Sequence, residues 1–465
     1  MSDSIERMTG KRSPKSLIFT FLFLMLLVTA GIAFYILFER EKPQVNFTGD
    51  ISNFGLEKKI SFVVSDSRSG IQSIDIMLVQ GDNKARIFSR QLTRKDYVDP
   101  GPKRIEETIT VDTGPSAFQD GTAELVVTVR DFSFSNWMAG NETVMQYPVT
   151  MDTKPPKISI LHSTRYVSNG GSGMIVYKIT EDVEEHGVYV NDHYNPGFPL
   201  DETDEGRYVA FFGLNYDIDK IAGSHVKATD KAGNTGKASF GMVLKKKSFT
   251  HDTINVSDNF LNLKIPEFSQ EYPQLSGSLV EQYVYVNSQI REENYQTIVK
   301  ACSKPVAKRL WLGRFERMGR SSRKASFADH RTYFYQGNEI DKQVHLGIDL
   351  ASTRRAEIKA ANRGKVVFAD YLGIYGNTII LDHGQGIFSL YSHMSEIKAS
   401  VDEIKEKGIV IGLSGTSGMA GGDHLHFSIL VNGIFVTPVE WWDQHWISLN
   451  IDEILFTRKS LNRPF

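Results

Sequence analysis

The sequence has a single cysteine, Cys302, among its 465 residues. One cysteine excludes an intrachain disulfide, a cysteine-rich zinc finger, an iron–sulfur cluster and a CxxC redox pair. The chain also lacks an excess of positive charge, since 53 Lys and Arg stand against 55 Asp and Glu. A net charge of −2 provides no cationic field for a polyphosphate, so we expect no nucleic acid partner. Any bound metal must be held by histidine and carboxylate side chains.

Proline is scarce as well, with 15 residues against 38 glycines. Together with 41% hydrophobic and 23% charged residues, this composition excludes a disordered or collagen-like chain. At roughly 100 to 200 residues per domain, the length predicts three or four folded units.

One long apolar run, residues 17–38, contains no charged residue. As a helix it would extend about 33 Å, enough to cross a hydrocarbon core of about 30 Å. A cleaved signal peptide usually has a shorter core that ends near small residues. The run therefore predicts a retained transmembrane helix.

The charges that flank this run predict its orientation. Lys11, Arg12 and Lys15 precede it, whereas the charges of residues 39–42 cancel on the other side. By the positive-inside rule, the N-terminus lies in the cytoplasm and the body lies outside. The expected location is the cytoplasmic (inner) membrane of a bacterium, with a single pass and an extracytoplasmic or periplasmic body. The lack of disulfides is compatible with such an envelope.

Short alternating runs rich in Val, Ile, Thr and aromatic residues fill residues 43–248 and predict strands, for example at 123–129 and 174–179. The segment also repeats itself. Asp131 with Gly140-Asn141 recurs as Asp230 with Gly233-Asn234, and a proline-containing linker at 152–157 separates the copies. The stretch resembles tandem bacterial immunoglobulin-like modules, which would serve as spacers or would bind an envelope protein partner.

A helical pattern follows up to about residue 325. Ser257 is positioned to cap a short helix that ends before Pro266, and Ser278 to cap a longer helix that runs to Cys302. The apolar stripe of the longer helix favours packing against its own domain. Cys302 at its end is expected to be a buried, inert thiol.

Histidines concentrate near the C-terminus. Six of the twelve lie beyond residue 340, and they are His345, His383, His393, His424, His426 and His445. His345 and Asp349 offer an imidazole and a carboxylate of the kind that Zn²⁺ accepts. Spacing alone is a weak signal, because such a pair is common on surfaces.

The segment His424-Leu425-His426 is a sharper signal. In a strand, alternate side chains project to one face, so both imidazoles would point into one cavity. One can then hold a metal while the other acts on a substrate. Upstream, residues 377–381 and 387–393 predict a hairpin that places His393 at its far end.

These residues carry a resemblance. HLGIDLAS at 345–352, NTIILDHGQGIFSLYSHMSEI at 377–397 and GIVIGLSGTSGMAGGDHLHFSILVNGIFVTP at 408–438 resemble the LytM-type, or lysostaphin-like, M23 zinc metallopeptidases. The resemblance covers residues 310–445, and the HxGxD, YxH and HxH motifs occur in the family's order. It implies an antiparallel β peptidase domain. Ala328 stands where the family usually has glycine, Asp423 where proline commonly precedes HLH, and Ser428 where glutamate commonly follows HF.

The resemblance implies a site residue by residue. His345, Asp349 and His426 would ligate Zn²⁺, and His393 and His424 would have catalytic roles. Two imidazoles and one carboxylate leave the ion an open coordination position, which suits hydrolysis of a peptide bond. No HExxH motif occurs, so a histidine must replace the glutamate base, and we assign that role to His424. His393 would orient water or stabilise the oxyanion.

The predicted function is a membrane-anchored zinc metalloendopeptidase that hydrolyses peptidoglycan stem peptides or crosslinks. One alternative is a noncatalytic LytM-like regulator of a cell-wall amidase or morphogenetic complex, and another is a peptidase directed at secreted proteins. The open metal position and the helical connector also suggest self-inhibition by a residue from 249–340.

The predicted fold is mainly β, with an N-terminal transmembrane helix, two β-sandwich-like modules, a helical connector and the peptidase domain. The predicted segments are a cytoplasmic tail at 1–16, the transmembrane helix at 17–38, β-rich modules at 43–153 and 154–248, the connector at 249–309, the peptidase domain at 310–445 and a C-terminal extension at 446–465.

Overall fold

The computed structural model describes residues 14–113, 118–200 and 206–455. Most of the predicted cytoplasmic tail and the second half of the predicted C-terminal extension lie outside the described residues. By its internal contacts the chain forms two compact units. The first holds the residues up to Pro155 together with Asp230–Asn234, and the second holds Pro156–Thr229 and the residues from Thr235 onward.

The first unit begins with an apolar helix, α1 (Pro14–Leu37). Its window Lys15–Tyr35 has a mean hydropathy of 2.6 and is long and apolar enough to cross a membrane. The predicted span of 17–38 agrees with this helix to within a few residues at each end. Such a helix near the N-terminus is typical of membrane anchors and of signal sequences.

Two sheets form the rest of the first unit, in the strand orders β1-β3-β6 and β2-β8-β7-β4-β5. Their strands are β1 (Gln44–Thr48), β2 (Asn53–Phe54), β3 (Glu57–Ser65), β4 (Ile71–Gln80), β5 (Asn83–Gln91), β6 (Arg104–Asp112), β7 (Gly121–Asp131) and β8 (Glu142–Met151), with a short turn of helix α2 (Ser135–Met138) between the last two. The inner faces share one core, to which Phe62 of β3 and Leu125 of β7 both belong. Along β7 every second side chain is buried, which is the alternation that the sequence predicted.

The repeated Asp and Asn residues make equivalent contacts at the ends of two strands. Asn141 donates from Nδ2 to Asp131 Oδ2 at 2.8 Å, and Asn234 donates from Nδ2 to Asp230 Oδ2 at 3.0 Å. In each case the amide closes the end of a strand, which explains why the pair recurs in the sequence. The immunoglobulin-like identity of the modules stays a prediction.

The second unit begins with sheets in the orders β14-β15-β11-β9 and β13-β12-β16-β17, and a two-stranded pair β10-β18. These strands are β9 (Ile158–Ser163), β10 (Tyr166–Ser168), β11 (Ser172–Ile179), β12 (Val183–Val190), β13 (His193–Pro196), β14 (Phe198–Pro199), β15 (Arg207–Gly213), β16 (Ser224–Asp230), β17 (Thr235–Ser239) and β18 (Val243–Lys245). One face of β11 and β15, with Tyr177 and Phe212, packs inside this module. The opposite face, with Val176 and Phe211, belongs to the core of the C-terminal domain. The module therefore shares a core with that domain and is more than a spacer.

The connector combines a strand with helices. Its elements are β19 (His251–Asn255), α3 (Asp258–Glu271), α4 (Leu279–Tyr285), a π-helical turn (Val286–Ile290) and α5 (Arg291–Ala301). Both predicted caps are confirmed, since the Ser257 and Ser278 hydroxyls accept from backbone N–H groups. The predicted end of the first helix before Pro266 is wrong. Proline removes one helical hydrogen bond, but Phe268 in the next turn is fully buried and keeps the helix packed.

The C-terminal domain is built on an eight-stranded sheet in the order β20-β23-β31-β27-β26-β25-β29, with β32 paired to β31. The strands of the domain are β20 (Ser322–Ala325), β21 (Asp329–Tyr335), β22 (Asn338–His345), β23 (Ile348–Ala351), β24 (Glu357–Lys359), β25 (Gly364–Tyr371), β26 (Asn377–Asp382), β27 (Ile387–Met394), β28 (Glu396–Ile397), β29 (Ile404–Lys405), β30 (Val410–Leu413), β31 (Leu425–Val431) and β32 (Ile434–Val436). The predicted hairpin is confirmed as β26 and β27, which pair antiparallel. Two short helices follow, α6 (Pro438–Trp442) and α7 (Gln444–Ile447).

The predicted mainly β architecture with an N-terminal apolar helix is thus confirmed. The strands β19, β21 and β22 form a further sheet, in which β19 of the connector runs parallel to β21. The exact domain boundaries stay predictions.

Candidate metal centre

Strand register brings the candidate ligands together. His345 is the last residue of β22, and after Leu346 and Gly347 the chain enters β23, which contains Asp349. Because β23 pairs antiparallel with β31, Asp349 lies directly opposite His426. Residues far apart in sequence therefore meet through one turn and one pair of strands.

Three donor atoms of these side chains lie almost equally far apart. His345 Nε2 is 2.9 Å from Asp349 Oδ1 and 2.9 Å from His426 Nδ1, and His426 Nδ1 is 3.0 Å from Asp349 Oδ1. Ligands of a tetrahedral zinc ion at 2.0–2.1 Å would be about 3.3 Å apart. Two imidazole nitrogens and one carboxylate oxygen thus fit a single ion with little adjustment.

The outer ring nitrogens of both histidines are held by oxygen atoms. His345 donates from Nδ1 to the carbonyl oxygen of Ser326 at 2.8 Å. The Ser428 hydroxyl donates to Leu346 O at 2.8 Å, so it accepts from His426 Nε2 at 3.1 Å. These contacts keep the protons on the outer nitrogens and leave the inner lone pairs available to a metal.

Gly347 is required by close packing at this site. A Cβ atom there would lie 2.5 Å from the ring of His426 and 2.6 Å from Ser428 Oγ. Any side chain at this position would displace the imidazole. The glycine of the HxGxD motif therefore has a physical role that its spacing alone did not indicate.

His393 and His424 lie beside the three candidate ligands. Their ring centroids are 4.8 Å apart, and His424 Nε2 is 3.6 Å from Asp349 Oδ1. Each donates from Nδ1 to a backbone carbonyl, His393 to Ser417 at 2.9 Å and His424 to Gly422 at 2.7 Å. Both line the same cavity as the ligands. In each of these rings, Nε2 is therefore the nitrogen without a proton when the ring is neutral.

The backbone at two positions near the site is left-handed. His393 has φ of 61° and so does Ala328, although neither is glycine. Non-glycine residues rarely adopt this conformation, and such strain is frequent at functional positions. A positive φ at residue 328 also explains why glycine is usual there in the resembling family.

Burial and mutual charge set the protonation of the site. Burial opposes ionisation of Asp349, but the neighbouring His345, His424 and His426 side chains hold its pKa well below the usual range. Burial lowers the pKa of His426 to about 4 and that of His393 well below its usual value. An ionised carboxylate and neutral imidazoles are the forms that ligate a metal.

The pKa of His424 shifts in the opposite direction. Burial lowers it, but the hydrogen bond and the negative charge of Asp349 raise it above the ordinary value. Asp423, which stands where proline commonly precedes HLH, accepts from the Ser414 hydroxyl and the backbone N–H of Arg355. It therefore stabilises the loop that precedes β31.

Two of the six clustered histidines do not belong to this site. His383 is fully buried, with Nδ1 at 2.7 Å from Arg363 O and Nε2 at 2.6 Å from Ser389 Oγ, and it has a structural role. His445 is exposed on α7. Clustering in sequence therefore overstated the site by two residues.

One wall of the cavity comes from the connector, which lies within the residues 249–340 from which the sequence suggested self-inhibition. Val256, Phe260, Tyr283 and Arg291 line it together with the five site residues. The apolar stripe of the connector indicated packing, but a stripe does not specify which surface it covers.

The described residues thus define a β domain with a candidate metal centre made by two histidines and one aspartate. Residues 343–438 match the model of Peptidase family M23, and they form a Peptidase M23 domain.

Proteins similar to this chain include enzymes and an activator. The DD-carboxypeptidase/endopeptidase Mpg of Neisseria meningitidis serogroup B is 34% identical over 97 residues, 21% of this chain and 22% of that protein. The murein hydrolase activator EnvC of Escherichia coli is 35% identical over 95 residues, 20% of this chain and 23% of that protein. The chain thus spans about a fifth of the length of the curated relatives that it matches.

Among solved structures, the catalytic domain of the antimicrobial peptidase lysostaphin from Staphylococcus simulans is 26% identical, with a TM-score of 0.23. The similarity covers 26% of this chain and 92% of that one.

Proposed function

We propose that this chain is a membrane-anchored zinc metalloendopeptidase that hydrolyses peptide bonds of peptidoglycan. The observation that carries the proposal is the convergence of His345 Nε2, Asp349 Oδ1 and His426 Nδ1 within 3.0 Å, beside two further histidines. A noncatalytic domain would have no need of all five side chains in one cavity.

The residues present fit zinc by the chemistry of their donor set. His345, Asp349 and His426 would hold the ion, with the protons of both imidazoles kept on the outer nitrogens. When bound there, zinc supplies a Lewis acid that polarises a carbonyl oxygen and acidifies water.

His424 is the proposed general base. Its Nδ1 proton is fixed on the Gly422 carbonyl, so Nε2 is the nitrogen that can accept a proton from the attacking water. The same ring can then return that proton to the leaving amine. His393, fixed through Nδ1 on Ser417, would orient the water or stabilise the developing oxyanion from the other side.

The substrate class rests on the relatives. Mpg is named a DD-carboxypeptidase/endopeptidase, and EnvC is named a murein hydrolase activator. We infer that the cleft accepts an extended peptide of the cell wall, either a stem peptide or a crosslink. The apolar helix α1 would hold the chain in the inner membrane with the M23 domain outside.

The test uses the purified full chain in detergent with isolated peptidoglycan. We expect release of soluble muropeptides, loss of that release on chelation and recovery on addition of Zn²⁺. His424→Ala should lower the rate by at least about 100-fold, the contribution typical of a general base, while zinc stays bound. His445→Ala is the matched control, because this exposed histidine lies outside the cavity, and its rate should equal that of the wild type.

Two results would reject the proposal. Muropeptide release that survives both chelation and His424→Ala would exclude the assigned chemistry. No release by zinc-loaded wild-type protein, with stimulation of a separate wall amidase, would favour the regulator instead.

A further inference from the structure

The first unit contains a cluster of three buried carboxylates with no role in the proposed peptidase. Glu39 follows the apolar helix, Asp66 follows β3, and Asp131 ends β7. One oxygen of each lies within 4.8 Å of the others. Their relative exposures are 0%, 8% and 0%, so water solvates them poorly.

Backbone N–H groups hold each carboxylate in place. Ser69 N donates to Glu39 Oε2 at 2.7 Å, Gly70 N to Asp66 Oδ2 at 2.6 Å, and Asn141 N to Asp131 Oδ1 at 2.7 Å. Asp66 Oδ1, by contrast, is buried and has no hydrogen-bond partner. A buried carboxylate oxygen without a hydrogen-bond donor costs free energy. This oxygen belongs to Asp66, whose carboxylate lies beside those of Glu39 and Asp131.

The positive charge nearby does not balance the cluster. Among the described residues one ion pair reaches it, from Arg68 Nε to Glu39 Oε1 at 3.6 Å, and the Arg68 side chain is 36% exposed. Three carboxylates facing one half-exposed guanidinium leave an excess of negative charge that a divalent cation would neutralise.

We propose that Glu39, Asp66 and Asp131 bind a hard divalent cation, with Ca²⁺ as the best fit. Calcium takes oxygen ligands at about 2.3–2.6 Å in a flexible geometry, which tolerates carboxylates whose positions the backbone N–H groups already fix. The donors are all oxygen, which disfavours zinc. Magnesium demands a near-ideal octahedron and retains its water ligands, which a buried site accommodates less readily.

The ion would fix the chain where it leaves the apolar helix. Asn141 donates from Nδ2 to the carbonyl oxygens of Glu39 at 3.0 Å and Glu41 at 3.1 Å, and Ser133 Oγ donates to Glu39 O at 3.0 Å. The segment after α1 is thus already attached to the strand that bears Asp131. A bound cation would add a charged link at the same junction and stiffen the base of the first β module.

The test uses the full chain in detergent, stripped of metals and titrated with CaCl₂ by calorimetry. Asp66→Asn should bind one equivalent of Ca²⁺ less than the wild type. At 1 mM Ca²⁺ the melting temperature of the first unit should rise by about 3 °C or more in the wild type, and this rise should disappear in Asp66→Asn. Asp82→Asn, which removes an exposed carboxylate from a turn of the same unit, should keep both effects.

Further measurements distinguish the proposed calcium site from the candidate zinc site and from a folding defect. His345→Ala should retain the calcium shift, since it alters only the candidate zinc site. A hydrogen-exchange measurement on the wild type requires no variant. Ca²⁺ should slow amide exchange at residues 39–41 and 66–70. A wild type that shows no calcium shift, or an Asp66→Asn variant that is well folded and keeps it, would overturn the proposal.

Discussion

Ser428 connects the candidate metal centre to the backbone between β22 and β23. Its hydroxyl donates to Leu346 O and accepts from His426 Nε2, so it fixes both the tautomer and the orientation of that ring. We expect Ser428→Ala to lower zinc affinity about 10- to 100-fold, as is typical for outer contacts of metal ligands. Competition with a chromophoric chelator measures this.

The matched control for that change is Ser352→Ala. Ser352 directly follows β23, and its hydroxyl donates to Arg320 O, remote from the histidines. Its zinc affinity should equal that of the wild type. If Ser428→Ala binds zinc with the same affinity as the wild type, packing alone holds His426 in position.

His383 is expected to make stability depend on pH. Burial lowers its pKa to about 4 from 6.5. Because the folded pKa is depressed, the stabilising contribution of the neutral ring is present above pH 6.5 and is lost as the pH falls toward 4. Relative to His383→Gln, the wild type should lose about 2 kcal/mol of unfolding free energy between pH 7.5 and 5.

Chemical denaturation of both proteins at several pH values measures that difference. The neighbouring Asp382 has a pKa raised by burial to about 6, so its effect has the opposite sign in the same range. Comparing wild type with variant cancels this contribution because both proteins contain Asp382. A difference in unfolding free energy between wild type and His383→Gln that stays constant with pH would contradict the buried neutral state of His383.

At the scale of elements, the connector belongs to the core of the M23 domain. Val286, Ile290 and Ile298 are fully buried in the cluster that contains the strands of the C-terminal sheet. Ile290→Ala should therefore lower the unfolding free energy by about 2–5 kcal/mol. Leu263→Ala on α3 is the control, because Leu263 is 71% exposed and its loss should change stability by about 0.5 kcal/mol or less.

Urea denaturation followed by circular dichroism distinguishes the two variants. If Ile290→Ala and Leu263→Ala have the same unfolding free energy, the connector helices do not contribute to the stability of the core. The same packing bears on the self-inhibition hypothesis, which stays a prediction. A fragment that starts at residue 310 would lack these side chains and β19, so its activity would report stability as well as release from inhibition.

At the scale of the whole molecule, the β module at residues 156–245 and the M23 domain share one core within the second unit. Phe211 of the module is 1% exposed and lies with its ring centroid 6.1 Å from that of Trp311 and 6.4 Å from that of Trp441. Phe211→Ala should cost about 3–5 kcal/mol and lower the melting temperature of the second unit, which contains the M23 domain.

Phe62→Ala is the counterpart in the first unit, where Phe62 is 1% exposed in a separate core. It should lower the melting temperature of the first unit and leave that of the second unit unchanged. Scanning calorimetry of both variants measures the two transitions. A transition of the M23 domain that Phe211→Ala does not affect would show that the module unfolds independently.

The sequence by itself determined the features that depend on near neighbours along the chain. The apolar run of α1, the alternation along β7, the hairpin that carries His393 and the serine caps of the connector all follow from local periodicity and local hydrogen bonds. The fit of the motifs to Peptidase family M23 is also a property of the sequence alone.

The tertiary structure decided what depends on contacts between distant segments. Strand register brought His426 opposite Asp349, and it excluded His383 and His445 from the site although they cluster with the ligands in sequence. Packing placed the connector in the cavity wall and carried the helix past Pro266. Apolar patterns indicate that a face is buried, but they do not indicate which surface buries it, because many surfaces satisfy the same pattern.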